Sequence, residues 1–169
     1  VDDILYCYYN PIVNATALQI GMQIIIPGGR PPAPSAAPRA SSRAVTPSSA
    51  ARPAGATTGS GSLMWPTSGR LTQYYRAGHP ALDIACPLGR TVVAVDGGFV
   101  TYAGWNRTGY GNMIVIDHGN GIQTLYAHLN EIWVSAGQSV NKGDAIGAVG
   151  STGRSTGSHL HLEVIVSGV

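Results

Sequence analysis

Beyond residue 62 the apolar positions fall in short runs of strand-forming residues, broken by glycine-rich turns. Thr91-Val92-Val93-Ala94-Val95 and Phe99-Val100-Thr101-Tyr102-Ala103 flank Asp96-Gly97-Gly98 and read as a hairpin. Residues 113–117 and 122–126 flank His118-Gly119-Asn120-Gly121 and read as a second hairpin, whose Asn-Gly favours a primed turn. Val140, residues 145–149 and residues 160–166 supply further strands, and helix signals are nearly absent. The pattern predicts an all-β domain over 63–169, built mostly from antiparallel sheet.

The first 62 residues differ in kind. Residues 1–27 read as helix, turn and strand: Asp2 and Asp3 sit at a helix start, Asn10-Pro11 stops it, and Ile24-Ile25-Ile26 is closed by Pro27. Asp3-Ile4-Leu5, Asn10-Pro11 and residues 18–27 resemble the second half of a LysM module, a family that binds N-acetylglucosamine-containing glycans. The first strand and helix of that module are missing, so this partial module is expected to bind sugar poorly. Residues 28–62 are rich in Pro, Ala, Ser, Thr and Gly with almost no large apolar side chain, and are expected to form a disordered linker. Such a segment is either a tether that raises the local concentration of an attached domain near its polymer or a passive spacer.

Composition narrows the classes of function. Hydrophobic residues make up 44% of the chain against 11% charged, enough for a core beneath an unusually uncharged surface. The net charge of +2 arises in the linker, which holds Arg30, Arg39, Arg43 and Arg52. No basic-aromatic pattern accompanies it, which argues against nucleic-acid recognition. Cys7 and Cys86 fall in different segments and are expected to be separate thiols. No run is long enough to span a membrane. The chain opens at Val1 without methionine, so a preceding region is expected.

The chemistry lies in the histidines, of which there are five. His159 and His161 are two apart in a strand, so their side chains leave one face while Leu160 and Leu162 take the other. His79-x-x-x-Asp83, in a loop opening a strand, adds an imidazole and a carboxylate. Together the segments offer a ligand set suited to one zinc ion, which with three protein ligands keeps a position for water. His128 ends the strand 124–127, where a strand-end structural role is the ordinary alternative. His118, among turn residues, reads as structural. The glycine-rich run 147–157 lacks the Gly-Lys-Ser/Thr ending and following helix of a phosphate loop.

His79-x-x-x-Asp83, Gly109-Tyr110-Gly111-Asn112, Tyr126-Ala127-His128-Leu129, the run 150–157 and His159-Leu160-His161-Leu162-Glu163 resemble the lysostaphin/LytM-type zinc metallopeptidases, through nearly all of 64–168. The resemblance implies His79, Asp83 and His161 as zinc ligands and His128 and His159 as catalytic residues. It also implies a substrate groove in the sheet, with Tyr110, Asn112, Gly153 and Ser155 as candidate lining residues, although hairpin packing accounts for Tyr110 and Asn112 equally well. Glu163 either buttresses a ligand histidine or is simply structural. The implied activity is a zinc endopeptidase cutting peptide bonds in peptidoglycan stems or cross-bridges, exported to the periplasm or cell exterior and acting as a monomer on the wall. The alternatives are a non-catalytic relative that activates cell-wall amidases by contact, and a pure wall-binding module, which the incomplete LysM segment disfavours.

Overall fold

The computed structural model describes residues 48–49 and 51–166. The expected partial module at 1–27 and most of the expected linker at 28–62 lie outside the described residues. The described residues form eleven strands and no helix: β1 (Ser48–Ser49), β2 (Arg70–Gln73), β3 (Leu82–Ala85), β4 (Thr91–Val93), β5 (Gly98–Asn106), β6 (Gly111–Asp117), β7 (Ile122–Leu129), β8 (Glu131–Ile132), β9 (Ser139–Val140), β10 (Ala145–Ala148) and β11 (His159–Val166). The large sheet runs β1-β5-β6-β7-β11-β3-β2, with β9 also on β5, and the small sheet runs β4-β10-β8. Every pairing between these strands is antiparallel.

The core joins the two sheets. Val92 and Ile146 from the small sheet pack with Ile84, Val100, Ile114, Ile116, Tyr126, Leu160 and Leu162 from the large one. A fully buried aliphatic side chain contributes about 1.5–3 kcal/mol, so this face alone gives the sheet its orientation. Cys86 is buried in the same core. The opposite face of the large sheet carries a smaller apolar group, Met113, Leu125 and Ala127, edged by Tyr102, Tyr110 and Val115. The alternation of β11 therefore places His159, His161 and Glu163 on that second face.

One expected hairpin does not form. The segments 91–95 and 99–103 are both extended, but β4 pairs with β10 while β5 pairs with β6 and β9. The chain crosses from one sheet to the other at Asp96 because the Asp96 carboxylate is taken up elsewhere. It accepts hydrogen bonds from Gly97 N at 2.8 Å, Gly61 N at 2.8 Å and the Ser60 hydroxyl at 3.0 Å. The second hairpin does form, as β6 and β7. Its link is not a primed Asn-Gly turn: Gly119 and Gly121 take positive φ, whereas the Asn120 side chain accepts from Ile122 N at 3.1 Å.

The described end of the expected linker lies along the β domain as a strap. Gly59 N donates to His118 O at 2.7 Å, Arg52 Nη1 to Asp117 O at 2.9 Å, and Lys142 Nζ to Ser62 O at 2.7 Å. Two of the three use the strap's backbone and the third a long arginine side chain, so the small side chains that mark a linker are no obstacle to them. Beneath the strap, His118 is fully buried. Its Nδ1–H donates to Gly97 O at 2.7 Å, and its Nε2 lies 2.9 Å from Thr124 Oγ1. The chain of contacts continues to Tyr126 Oη, which accepts from Val95 N at 3.0 Å. Burial pushes the Tyr126 hydroxyl up to about 12, so it stays protonated. His118 is thus a structural histidine, as its turn position indicated.

Burial works against ionisation of Asp96, but the hydrogen bonds from Ser60, Gly97 and Gly61 outweigh it and hold the carboxyl below its ordinary 3.8. A depressed folded-state pKa gives stability that is present above the unfolded value and lost as pH falls through the folded one. Asp96→Asn is therefore expected to cost about 1–3 kcal/mol at neutral pH, and to remove part of the decline in stability below pH 4. Urea unfolding of both proteins across that range checks it.

Candidate metal centre

The site is assembled by strand register. On β11 His161 lies directly opposite Asp83 of β3 on one side and Ala127 of β7 on the other. Directly opposed residues share a face, so Asp83 and His161 meet: Nδ1 to Oδ1 is 2.9 Å. His79 stands in the loop before β3, where a backbone bridge to Arg76 closes a tight turn. From there its Nε2 reaches Asp83 Oδ2 at 3.2 Å. His159, two residues before His161, brings its Nε2 to 3.9 Å from the same oxygen.

One donor atom each from His79, Asp83 and His161 lies within 4.8 Å of the others. Tetrahedral zinc with bonds of about 2.0–2.2 Å needs ligand atoms roughly 3.3 Å apart. His79 Nε2 lies 3.2 Å from Asp83 Oδ2 and His161 Nδ1 2.9 Å from Asp83 Oδ1, close to that spacing. His79 Nδ1 is buried without a hydrogen-bond partner, so the ring is oriented by what its Nε2 faces. Two imidazoles and a carboxylate at these distances fit zinc, and the three residues expected as ligands come together.

His128 reaches the site by a different route. Ala127 shares a face with His161, so in a flat strand His128 would point into the core. Instead β7 carries a bulge, since Asn112 pairs with Leu129 but Ile114 with Tyr126. His128 takes φ +59°, the one positive value among the described non-glycine residues. This turns the imidazole back toward the site, 4.8 Å from the His159 ring and 5.6 Å from that of His161. Bulges beside functional sites commonly re-aim a side chain in this way.

The hydrogen bonds fix what each ring can do. The Thr152 carbonyl can only accept, so His128 Nδ1 donates to it at 2.8 Å, leaving Nε2 as an acceptor. Burial, with smaller contributions from His159 and His161, lowers the His128 pKa below 6.5 despite that bond. His128 is therefore neutral at pH 7, with a lone pair at Nε2. His159 Nδ1 donates to Gly157 O at 2.9 Å and lies 3.2 Å from Ser155 Oγ. Burial pulls His161 down, but the Glu163 hydrogen bond and the Asp83 charge prevail and raise it.

The candidate lining residues are engaged with the protein itself. Tyr110 donates to Glu163 Oε1 at 2.7 Å, and burial then Glu163 push its hydroxyl up to about 12. Asn112 donates to Leu129 O at 3.1 Å, and Ser155 to Gly157 O at 2.7 Å. Gly153 and Gly111, both at positive φ, press backbone to backbone; a Cβ at Gly111 would lie 2.5 Å from Thr152 Oγ1. The two loops thereby form a wall beside His128. Thr152, which acts through its carbonyl, was not found from the sequence, because a main-chain acceptor leaves no mark in residue type.

Fold and site together define an all-β protein with a cluster of two histidines and an aspartate able to hold a metal ion. Residues 77–169 match Peptidase family M23, and the chain belongs to that family. It is 48% identical over 90 residues to the "DD-carboxypeptidase/endopeptidase Mpg" of Neisseria meningitidis, covering 53% of this chain and 20% of the relative. It is 37% identical over 107 residues to the "Murein hydrolase activator NlpD" of Escherichia coli, covering 62% and 28%. The match thus spans under a third of either relative's length. Lysostaphin from Staphylococcus simulans superposes with a TM-score of 0.54 at 34% identity, over 60% of this chain and 42% of that one. A zinc-containing peptidase from Vibrio cholerae gives 0.51 at 34% identity, over 65% and 36%.

Two outcomes are expected of the metal centre. His161→Ala loses bound zinc whereas His128→Ala retains it, measured as zinc per chain after dialysis; release of zinc by His128→Ala would overturn the ligand assignment. Because the metal-free protein holds the His161 proton to above pH 6.5, proton and metal compete there as pH falls. Zinc affinity should drop about tenfold per pH unit once His161 is protonated, read by chelator competition from pH 8 to 5.5.

Proposed function

We propose that this chain is a zinc-dependent endopeptidase that hydrolyses peptide bonds in peptidoglycan stems or cross-bridges during cell-wall remodelling. His79, Asp83 and His161 hold the metal, and His128 and His159 are the catalytic residues. The observation that carries the reading is His128: a non-ligand imidazole turned by a left-handed backbone toward the metal ligands. Non-glycine residues in that region cost about 1–3 kcal/mol and cluster where the strain is used.

Zinc bound to the three ligands would polarise the scissile carbonyl and lower the pKa of water from nearly 16 to about 7. The chain supplies the rest. His128 accepts a proton at Nε2 from the attacking water, then returns it to the departing amine. His159 flanks the same point, its ring held by the Gly157 carbonyl, and orients the reacting groups from the other side. Positioned acid-base groups of this kind contribute about 10²- to 10⁴-fold.

The relatives support a wall substrate, one being named a DD-carboxypeptidase/endopeptidase and another a murein hydrolase activator. Among the described residues no helix is long and apolar enough to cross a membrane. We take the protein to be exported, to meet peptidoglycan outside the cytoplasm and to act there as a monomer. The likeness to an activator favours a second reading, in which the domain binds and switches on another hydrolase. A docking role has no need of His128 aimed beside the metal position, so hydrolysis is preferred.

Purified peptidoglycan incubated with the chain should release soluble muropeptides with new amino termini, read by mass spectrometry. Chelator should stop the release and zinc restore it. Zinc bound without cleavage on several wall types, together with stimulation of an added amidase, would replace this reading with the activator. For the hydrolase, kcat/KM should fall on the acid side as His128 gains its proton below pH 6.5, and His128→Ala should lose about 10²-fold or more in turnover.

A further inference from the structure

Glu163 is buried on β11, two residues beyond His161 and on the same face. Two donors converge on its Oε1: His161 Nε2 at 3.1 Å and the Tyr110 hydroxyl at 2.7 Å. Tyr110 arrives from the loop ahead of β6, and its ring stands edge-on to His161 with centroids 5.6 Å apart. The imidazole is thus held by a carboxylate at one nitrogen and walled by an aromatic ring.

An imidazole that donates Nε2–H to Glu163 has only Nδ1 left to offer as a lone pair. That nitrogen is the one 2.9 Å from Asp83 Oδ1, facing the metal position. A metal-binding histidine whose other N–H is given to a carboxylate is fixed in tautomer and ring orientation, and its basicity is raised. We propose that Glu163 and Tyr110 are positioning residues for the metal ligand His161. Glu163 selects the tautomer that presents Nδ1, and Tyr110 acts through Glu163 by holding its carboxylate in place. Tyr110 then has a task at the metal centre in addition to any at the groove wall. The inference rests on the metal-binding part of the proposed function and not on its substrate.

The test uses the full chain and reads metal affinity in place of turnover. Zinc dissociation constants are measured by competition with a chromophoric chelator for the wild type, Tyr110→Phe, Glu163→Gln and the double variant, with thermal melts to confirm folding. Glu163→Gln should weaken zinc binding about 10- to 100-fold, and Tyr110→Phe by a smaller factor. The double variant should bind no more weakly than Glu163→Gln alone, because the tyrosine has nothing left to hold. Nitrogen-15 spectra of zinc-loaded wild type should show His161 protonated at Nε2, and this decides the matter should Glu163→Gln fail to fold. Unchanged affinity in a folded Glu163→Gln, losses that multiply in the double variant, or zinc on Nε2 would each overturn the proposal. Affinities that change as expected in a protein without cleavage would sink only the endopeptidase reading.

Discussion

The contact between Asp83 and His161 across β3 and β11 is the constraint on which the rest of the site depends. A carboxylate this deeply buried is costly unless its charge is met by donors or metal, and here three imidazoles converge on it. The convergence follows from register. His161 opposes Asp83 because Leu160 opposes Ile84 and Leu162 opposes Leu82, which fixes the strand by its apolar side. A slip of one residue would bury both histidines in the core and expose the two leucines. The hydrophobic packing that determines the fold thereby also sets how Asp83 and His161 meet.

This coupling explains why so much of the centre was legible in the sequence. Alternation along 159–163 needs no tertiary information to place two imidazoles on one face and two leucines on the other. His79 and Asp83 lie close in sequence and stay close in space. Where sequence reading falls short, the deciding feature is a backbone bend or a partner distant in the chain. The aim of His128 depends on a bulge and a positive φ in a segment without Gly or Asn to announce either. Alternation alone sends that ring into the core, whereas the family resemblance counts it among the site residues. The residues 91–103 read as a hairpin because a turn and a crossover between sheets both present Asp-Gly-Gly. What separates them is the Asp96 carboxylate, bonded to Ser60 and Gly61 some 35 positions earlier in the chain.

The strap makes the same point about composition. Residues 51–62 lack the apolar side chains that signal a folded segment, yet Gly59, Gly61 and Ser62 each give a backbone group to the β domain. Under them the line from Gly97 through His118, Thr124 and Tyr126 to Val95 satisfies polar groups that the core would otherwise strand. Strap and network tie the crossover between the sheets to the β6–β7 hairpin. That hairpin leads directly into the strand whose far end is bent at His128.

The energetics of that bend bear on whether the centre is used for chemistry. A domain of this size is stable by only about 5–15 kcal/mol, and a left-handed histidine takes about 1–3 kcal/mol of it. Burial also leaves His79 Nδ1 without a partner, a further cost on the metal-ligand side. A surface that merely recognised another protein would gain nothing from either. A centre that held a metal beside a neutral imidazole, its Nε2 unprotonated, would make use of the bend. On the proposed endopeptidase reading, the strain at His128 is what aims a proton acceptor at the metal ligands; on the activator reading it has no task.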